Sequence, residues 1–500
     1  MKKRIKNYLV SAALCVAFIG VFACSADKET PQNLTIKELS VSTNKIDFQS
    51  VESNVDVTVT TGVTAWLMNS SDASWVKISQ AAGTSGTTVV KVTALQNTTT
   101  QSRTAVITLS SNEAKSIQIT VSQIGIAGSA GFPDYNTSPL AADASGMGST
   151  SVQLAAKMKL GWNIGNTMEA TGGETAWGNP KITKALIDMV KANGFNAIRI
   201  PCSWNQYVEN SSTAKIKTEW LDRVKEVVQY CVDNDMYVIV NIHWDGGWLE
   251  KNITEAKKVE TNAKQKAFWQ QIATHLRGFD EHLLFASANE PDVADATQMA
   301  VLTSYHQTFI DAVRSTGGKN AYRNLIVQGP STDIAKTNTL MTTLPTDNVA
   351  NRMMVEVHFY PYQFTLMTED ADWGKMFYYW GAGNHSTTDT AHNATSGEEA
   401  DLSKLFLSMK TQFVDKGVPV ILGEFGAIRR SNLTGDALAL HLKSRADFYT
   451  FVVKQSKANG LVPFYWDAGN LGVNTMSLFD RSNNTVFDSQ ALTGLQDGLK

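Results

Sequence analysis

The chain has 500 residues, of which 43% are hydrophobic, and a formal net charge of -3. Such a length exceeds one ordinary domain and supplies material for a large core. The small net charge lacks the electrostatic signature of a nucleic-acid binder or an anionic-membrane binder.

The first segment is an export signal. Met1-Lys2-Lys3-Arg4-Ile5-Lys6 is basic, and Leu9 to Ala23 is an apolar run too short to span a bilayer comfortably. Val21-Phe22-Ala23-Cys24 resembles a bacterial lipobox, which implies cleavage before Cys24 and lipidation of its thiol. Phe22 is bulkier than the usual residue there, which leaves plain cleavage near Ala23 as the alternative. Residues 24–33 then read as a polar tether, with Asp27 and Glu29 hinting at display on the cell surface. The expected address is the outer membrane, reached through a lipid anchor. Cys15 leaves with the signal, so Cys202 and Cys231 alone remain in the body. A disulfide is open to an exported protein, but two buried free thiols are the preferred reading.

Residues 34–124 are rich in Thr, Ser and Val. Val55-x-Val57-x-Val59 and Ile117-x-Ile119-x-Val121 alternate, as strands with one buried face do. The pattern predicts a small all-β, immunoglobulin-like sandwich. Trp66 and Trp75 are read first as core, with a sugar platform as the sharper alternative. With Arg103-Thr104-Ala105 and Thr120-Val121-Ser122-Gln123, they make the segment resemble the BACON domain. That resemblance implies glycan binding or a spacer, and the spacer is preferred. Residues 125–150, Gly-rich and small, read as a linker.

From residue 151 apolar runs alternate with helical patterns. The runs are Lys159–Asn163, Ala197–Pro201, Tyr237–Ile242, Leu283–Ser287, Asn324–Gln328, Met353–His358, Pro419–Gly423 and Val462–Trp466. Between them, Leu221, Val224, Val228 and Cys231 recur at helical spacing, as do Leu402, Leu405, Phe406, Met409 and Phe413. Asn179-Pro180 offers an N-cap and first-turn proline to a helix carrying Ile182, Leu186, Met189 and Val190. Strand–helix alternation of this kind predicts a (β/α)8 barrel over residues 151–500. A doubly wound open sheet is the alternative, but Gly161-Trp162-Asn163-Ile164-Gly165-Asn166 lacks its glycine spacing.

A barrel of this type gathers its site at the C-terminal ends of its strands. Those ends deliver Asn163 and Asn166, then Arg199, then Asn241, His243 and Trp244, then Asn289 and Glu290, then His358 and Tyr360, then Glu424, and finally Trp466. Each alone has a structural reading; a purely structural barrel would close all these ends with turn residues. Two carboxylates, Glu290 and Glu424, at the ends of two buried strands are the material of glycosidic-bond cleavage. Arg199 and Tyr360 beside Glu424 would favour its charged form, and Glu290 facing that charge would keep its proton. His243, His358 and Asn289 suit sugar hydroxyls, and Trp466 suits a pyranose face. His243 and Asp245 find no third ligand at metal spacing, so neither metal nor other cofactor is expected.

Taken together, Gly161-Trp162-Asn163-Ile164-Gly165-Asn166-Thr167, Ile198-Arg199-Ile200-Pro201, Asn241-Ile242-His243-Trp244, Asn289-Glu290-Pro291, His358-Phe359-Tyr360 and Gly423-Glu424-Phe425-Gly426 resemble glycoside hydrolase family 5. The run Gly172-Gly173-Glu174-Thr175-Ala176-Trp177-Gly178-Asn179-Pro180 is similar to its subfamily 4. The resemblance implies a retaining, endo-acting β-1,4-glucanase, with Glu290 as acid/base, Glu424 as nucleophile and no required cofactor. Trp244 stands where many members carry a second His.

The substrate stays open among cellulose, mixed-linkage glucan and xyloglucan. Trp177, Trp204, Trp244 and Trp248 are candidate platforms, and the aromatic stretch from Pro361 to Glu399 could shape the cleft for a branched chain. A mannanase on the same barrel, or an inactive glycan-binding surface lipoprotein, are the competing readings. The expected partner is a β-glucan, with no nucleic acid, and the protein is expected to act as a monomer.

Overall fold

The computed structural model describes residues 37–99, 102–125 and 131–500, which divide between two compact units with the boundary at residues 128/129. The signal, lipobox and tether lie outside the described residues.

The N-terminal unit is a sandwich. One sheet joins Leu39–Val41, Ser53–Thr61, Gly86–Ala94 and Val76–Ile78; the other joins Lys45–Phe48, Ala114–Gln123, Arg103–Ser111, Trp66–Ser70 and Ala82–Gly83. Alternation carries Val57, Val59, Val90 and Val92 from one face to meet Ile107, Leu109, Ile119 and Val121 from the other. Trp66 and Trp75 belong to this core. Arg103 lies over the Trp75 ring at 4.5 Å and donates from Nε and Nη2 to Gln123 Oε1 at 2.9 and 2.8 Å.

The C-terminal unit holds a closed parallel barrel. Its strands are β1 (Gly161–Ile164), β2 (Ala197–Ile200), β3 (Tyr237–Asn241), β4 (Leu283–Ala286), β5 (Leu325–Asp333), β6 (Met353–Phe359), β7 (Val420–Phe425) and β8 (Leu461–Asp467). The expected (β/α)8 architecture is therefore present, and every expected run is one of its strands. The stretch read as a linker is fastened to the barrel from Phe132 onward, with Phe132 and Tyr135 packed against its core. Tyr135 N–H donates to Gln270 Oε1 at 3.0 Å, and Leu140–Ala142 pairs with Gly317–Gly318. Hydrogen bonds of this kind need no apolar residues, so composition does not reveal them.

One expected helix start moves. The helix begins at Lys184 with Thr183 as N-cap, not at Asn179-Pro180. Asn179 is buried and gives its amide to the carbonyls of Asn166 and Ala468, both at 2.9 Å, tying the β1 loop to the β8 loop.

The barrel interior is layered by the two-residue period of its strands. Low in the barrel lie Ala197, Ile239, Leu284, Ile326, Met354, Ile421, Val462 and Phe464, closed from beneath by Leu154 of the helix Ser151–Lys157 and by its C-cap Met158. Two residues further along the same strands come Arg199, Asn241, Gln328, Glu356 and Trp466. So the inward face runs from apolar to polar along these five strands. On β7 the parity should turn Glu424 outward. A bulge prevents this: Val357 pairs with Leu422 but His358 pairs with Glu424, leaving Gly423 as the extra residue.

Candidate active site

Arg199 is fully buried at the end of β2 and organises the floor of the site. Its Nη1 donates to Glu424 Oε1 at 2.8 Å and to Asn163 Oδ1 at 3.0 Å. Its Nη2 donates to Asn289 Oδ1 at 2.8 Å, and its Nε lies 2.8 Å from Glu356 Oε1. The planar guanidinium thus joins β1, β4, β6 and β7 through one side chain. Burial alone would make Arg199 easier to deprotonate, but Glu356 and Glu424 outweigh it and raise its pKa.

His358 is the second cation. Its Nδ1 lies 2.8 Å from Glu290 Oε1 and 3.7 Å from Glu424 Oε2, and its Nε2 lies 3.3 Å from Glu356 Oε1. Burial opposes its charge, yet the three carboxylates raise its pKa to about 9, so both ring nitrogens carry protons near neutrality. His243 behaves oppositely. Burial, Arg199 and His358 hold it well below the usual range, so it is neutral. Its Nδ1 faces Asn241 Nδ2 at 3.2 Å, which leaves the proton on Nε2. Its ring stacks on Trp466 at 5.7 Å between centroids.

Glu290 and Glu424 face one another, each with a carboxylate oxygen within 4.8 Å of the other and of a His358 nitrogen. Tyr360 donates its hydroxyl to Glu424 Oε2 at 3.1 Å. The trio of Glu290, His358 and Glu424 meets a cation's distance requirement, but its chemistry does not fit one. A doubly protonated imidazole has no lone pair to offer, and Arg199 already sits on Glu424.

The directions of the two carboxyl shifts reverse the expectation. Burial pushes Glu424 above the usual carboxylate range, despite His358 and Arg199. Glu290 feels burial too, but its hydrogen bond with His358 and the charges of His358 and Arg199 hold it below that range. The physical reason is the position of His358, which favours Glu290 at hydrogen-bonding distance; Glu290's side chain also remains 45% exposed against 8% for Glu424.

Residues 163–472 match the family profile described as "Cellulase (glycosyl hydrolase family 5)". The chain belongs to glycoside hydrolase family 5. It hydrolyses glycosidic bonds. Residues 64–123 match the BACON profile, described as a putative N-terminal binding domain. A xyloglucan-specific endo-beta-1,4-glucanase of Bacteroides ovatus is 39% identical over 88% of this chain and 87% of its own length. An endoglucanase A of Paenibacillus barcinonensis is 35% identical over 74% of this chain and 95% of its own. Among solved structures, a Bacteroides ovatus xyloglucanase in complex with an XXXG heptasaccharide superposes with a TM-score of 0.68 at 37% identity, covering 93% of this chain and 99% of that one.

Within this family-5 barrel the remaining expected residues separate. Asn163 is fully buried; besides accepting from Arg199 it donates to Gly423 O at 2.8 Å, so it braces the floor. Asn166 sits in the left-handed region at φ 58° and gives its N–H to Glu169. Trp466 is half-buried, and a Cβ on Gly165 would lie 2.6 Å from its indole. Trp244 is 46% exposed and strained at φ 33°. Buried Asp245 holds that turn by accepting from the N–H groups of Trp204 and Asn205, each at 2.8 Å, and from Trp248 Nε1 at 2.7 Å. Trp248 packs under Lys264 and against Phe268, and so serves the loop. Trp204 is fully buried, with its indole N–H given to Asn241 O, which removes it as a platform. In the long β6 loop Phe377, Tyr378, Tyr379 and Trp380 are buried, while Tyr362 and Trp373 are exposed. Cys202 and Cys231 are both buried free thiols.

Sequence reading missed Glu356, Gln328 and Glu250. Glu356 is fully buried on β6, two residues before His358, so strand period alone would have placed both on one face. Gln328 links the end of β4 to it, accepting from Ala288 N–H at 2.8 Å and donating to Glu356 Oε2 at 2.6 Å. Glu250, in the β3 loop, accepts Glu290's own backbone N–H at 2.8 Å and carries no periodic signal.

Proposed function

We propose that this enzyme is an endo-acting, retaining β-1,4-glucanase of the subfamily-4 type, with Glu290 as acid/base and Glu424 as nucleophile. The observation that carries the reading is the closeness of the two carboxylates, with oxygens within 4.8 Å, together with Arg199 on Glu424. A retaining pair stands about 5–5.5 Å apart, whereas an inverting pair leaves about 6.5–9.5 Å for a water. Glu424 attacks the anomeric carbon while Glu290 protonates the departing glycosidic oxygen. Glu290 then takes a proton from water, which displaces Glu424 from the glycosyl–enzyme ester. A sugar covering the exposed Glu290 removes its water and raises its pKa, moving the proton to where the first step needs it. Asn289, fixed by Arg199 beside Glu290, offers its amide to a sugar hydroxyl, and Trp466 offers its indole face.

The β-glucans with xylosyl branches are the preferred substrate in this reading, because the Bacteroides ovatus relative spans both units of this chain and is xyloglucan-specific by name. Parallel depolymerisation of xyloglucan, carboxymethyl-cellulose and mannan tests it; shorter chains from mannan alone would refute it. The mechanism is tested by Glu424→Ala, which should abolish cleavage of every β-glucan; wild-type activity in that variant would refute it. The lipobox supports attachment to the outer membrane through Cys24, and metabolic labelling with a radioactive fatty acid that is lost in Cys24→Ala would test it. Among the described residues no helix is long and apolar enough to cross a membrane. The burial of Phe48, Trp66 and Trp75 supports a spacer role for the sandwich. A chain lacking residues 37–125 should cleave soluble glucan at the full rate, and a loss would mark a binding role.

A further inference from the structure

We propose that Glu356 is a positioning residue that keeps one proton on the Glu290–Glu424 pair. The inference rests on the acid/base reading of Glu290. Glu356 touches neither sugar nor the reacting atoms: it is fully buried beneath them on β6. Yet both cations of the site meet it. Arg199 Nε lies 2.8 Å from Oε1, and His358 Nε2 lies 3.3 Å from the same oxygen. Gln328 donates to its other oxygen at 2.6 Å.

Space is cleared for this carboxylate. A Cβ on Gly423 would fall 2.1 Å from Glu356 Oε1, so the bulge that turns Glu424 inward also admits Glu356. Burial alone would protonate Glu356, but Arg199, His358 and Gln328 outweigh it and hold its pKa low. Those contacts favour its ionised form.

The charges then leave a remainder. Arg199 and His358 supply two positive charges; Glu290, Glu424 and Glu356 supply three negative ones. The other titratable groups facing the set leave that remainder in place at mildly acidic pH. His243 on β3 is neutral, the Tyr360 phenol is pushed well above its usual range, and burial raises Glu250, in the β3 loop, to about 7. Two cations cannot balance three buried or half-buried anions, so the pair retains a proton. That is the proton a retaining glycosidase delivers to its leaving group. Without Glu356 the remaining charges balance, and every neighbour binds its proton less tightly. The proton of the Glu290–Glu424 pair then leaves at lower pH.

The test compares kcat/KM against pH for the full chain and Glu356→Gln on two substrates. One is a cello-oligosaccharide, whose leaving group needs the acid; the other is 2,4-dinitrophenyl β-cellobioside, whose leaving group does not. On the oligosaccharide the alkaline limb should move down by about one pH unit. On the dinitrophenyl glycoside that limb should stay where it is. Glu356→Asp, which keeps the charge, should leave the limb near its wild-type place. Glu356→Ser, which brings no amide opposite Gln328, is a second neutral variant with the same expectation as Glu356→Gln. An equal loss on both substrates with unmoved limbs would overturn the proposal, and so would failure of both neutral variants to fold; either outcome would make Glu356 a structural counter-ion of Arg199. The acid/base reading has its own arm: Glu290→Ala with a wild-type rate on the oligosaccharide would refute that reading whatever Glu356 does.

Discussion

His358 Nδ1 stands 2.8 Å from Glu290 Oε1, across 68 residues of sequence, and that contact sets the acid's resting charge. Because His358 is charged up to about pH 9, it favours the ionised form of Glu290. Replacing it by a neutral residue should therefore raise the pKa of Glu290. We expect His358→Gln to move the alkaline limb of kcat/KM upward by about one unit, opposite in sign to Glu356→Gln, with a lower maximum because Glu424 loses a neighbouring cation. A pH–rate series on a cello-oligosaccharide checks it. A downward shift would mean that His358 acts through something other than its charge.

The acid role of Glu290 makes a prediction that depends on the leaving group. Glu290→Ala should lose about 10²–10⁴-fold in kcat/KM on a cello-oligosaccharide, the usual worth of a general acid. It should keep most of its first-step rate on 2,4-dinitrophenyl β-cellobioside. The ester on Glu424 should then accumulate as a burst of dinitrophenol, and azide should relieve it by forming the β-glycosyl azide. Formation of the α-azide instead would assign the nucleophile's role to Glu290.

Glu250 gives a stability prediction with a definite sign. Burial lifts its pKa from the usual 4.5 to about 7, with the charges of Glu290 and Glu424 adding to the lift. A carboxyl raised in the folded state contributes stability that is fully present below about 4.5 and is lost as pH rises through about 7. Glu250→Gln keeps an oxygen for the Glu290 N–H and removes the buried charge. Its melting temperature, compared with that of the wild type, should be similar near pH 4.5 and higher above pH 7, by up to about 3 kcal/mol in stability. An unchanging difference across that range would show that Glu250 ionises freely in the folded protein.

The eight strands were legible because strands covered on both faces are continuous apolar runs, and their polar ends announced the site. Arg199, Asn289, Glu290, His358, Tyr360 and Glu424 lie together at the strand ends. What the sequence did not reveal lies in relations between strands. The Gly423 bulge that turns Glu424 inward is a register event, invisible in one strand alone. The direction of the Glu290 and Glu424 shifts depended on which carboxylate His358 would approach more closely. The aromatic residues misled in part, since Trp204 and Phe377 to Trp380 have the composition of platforms and the burial of a core.

The two exposed aromatics of the β6 loop carry the last prediction. Tyr362 and Trp373 are 53% and 65% exposed, with ring centroids 5.7 Å apart and planes tilted by 46°. Large apolar rings left in water on a loop at the active-site end of a barrel are poorly explained by folding, because their five aromatic neighbours in sequence, Phe364 and Phe377 to Trp380, are buried. A sugar ring stacked on either would recover part of that exposed area. Trp373→Ala should therefore raise KM for polymeric glucan about fivefold, near 1 kcal/mol of binding, with kcat little changed. On 2,4-dinitrophenyl β-cellobioside, too short to span beyond the cleavage point, the variant should match the wild type. Equal effects on polymer and glycoside would instead mean that Trp373 supports the fold of the loop, and a melting curve of the variant would then show the accompanying loss of stability.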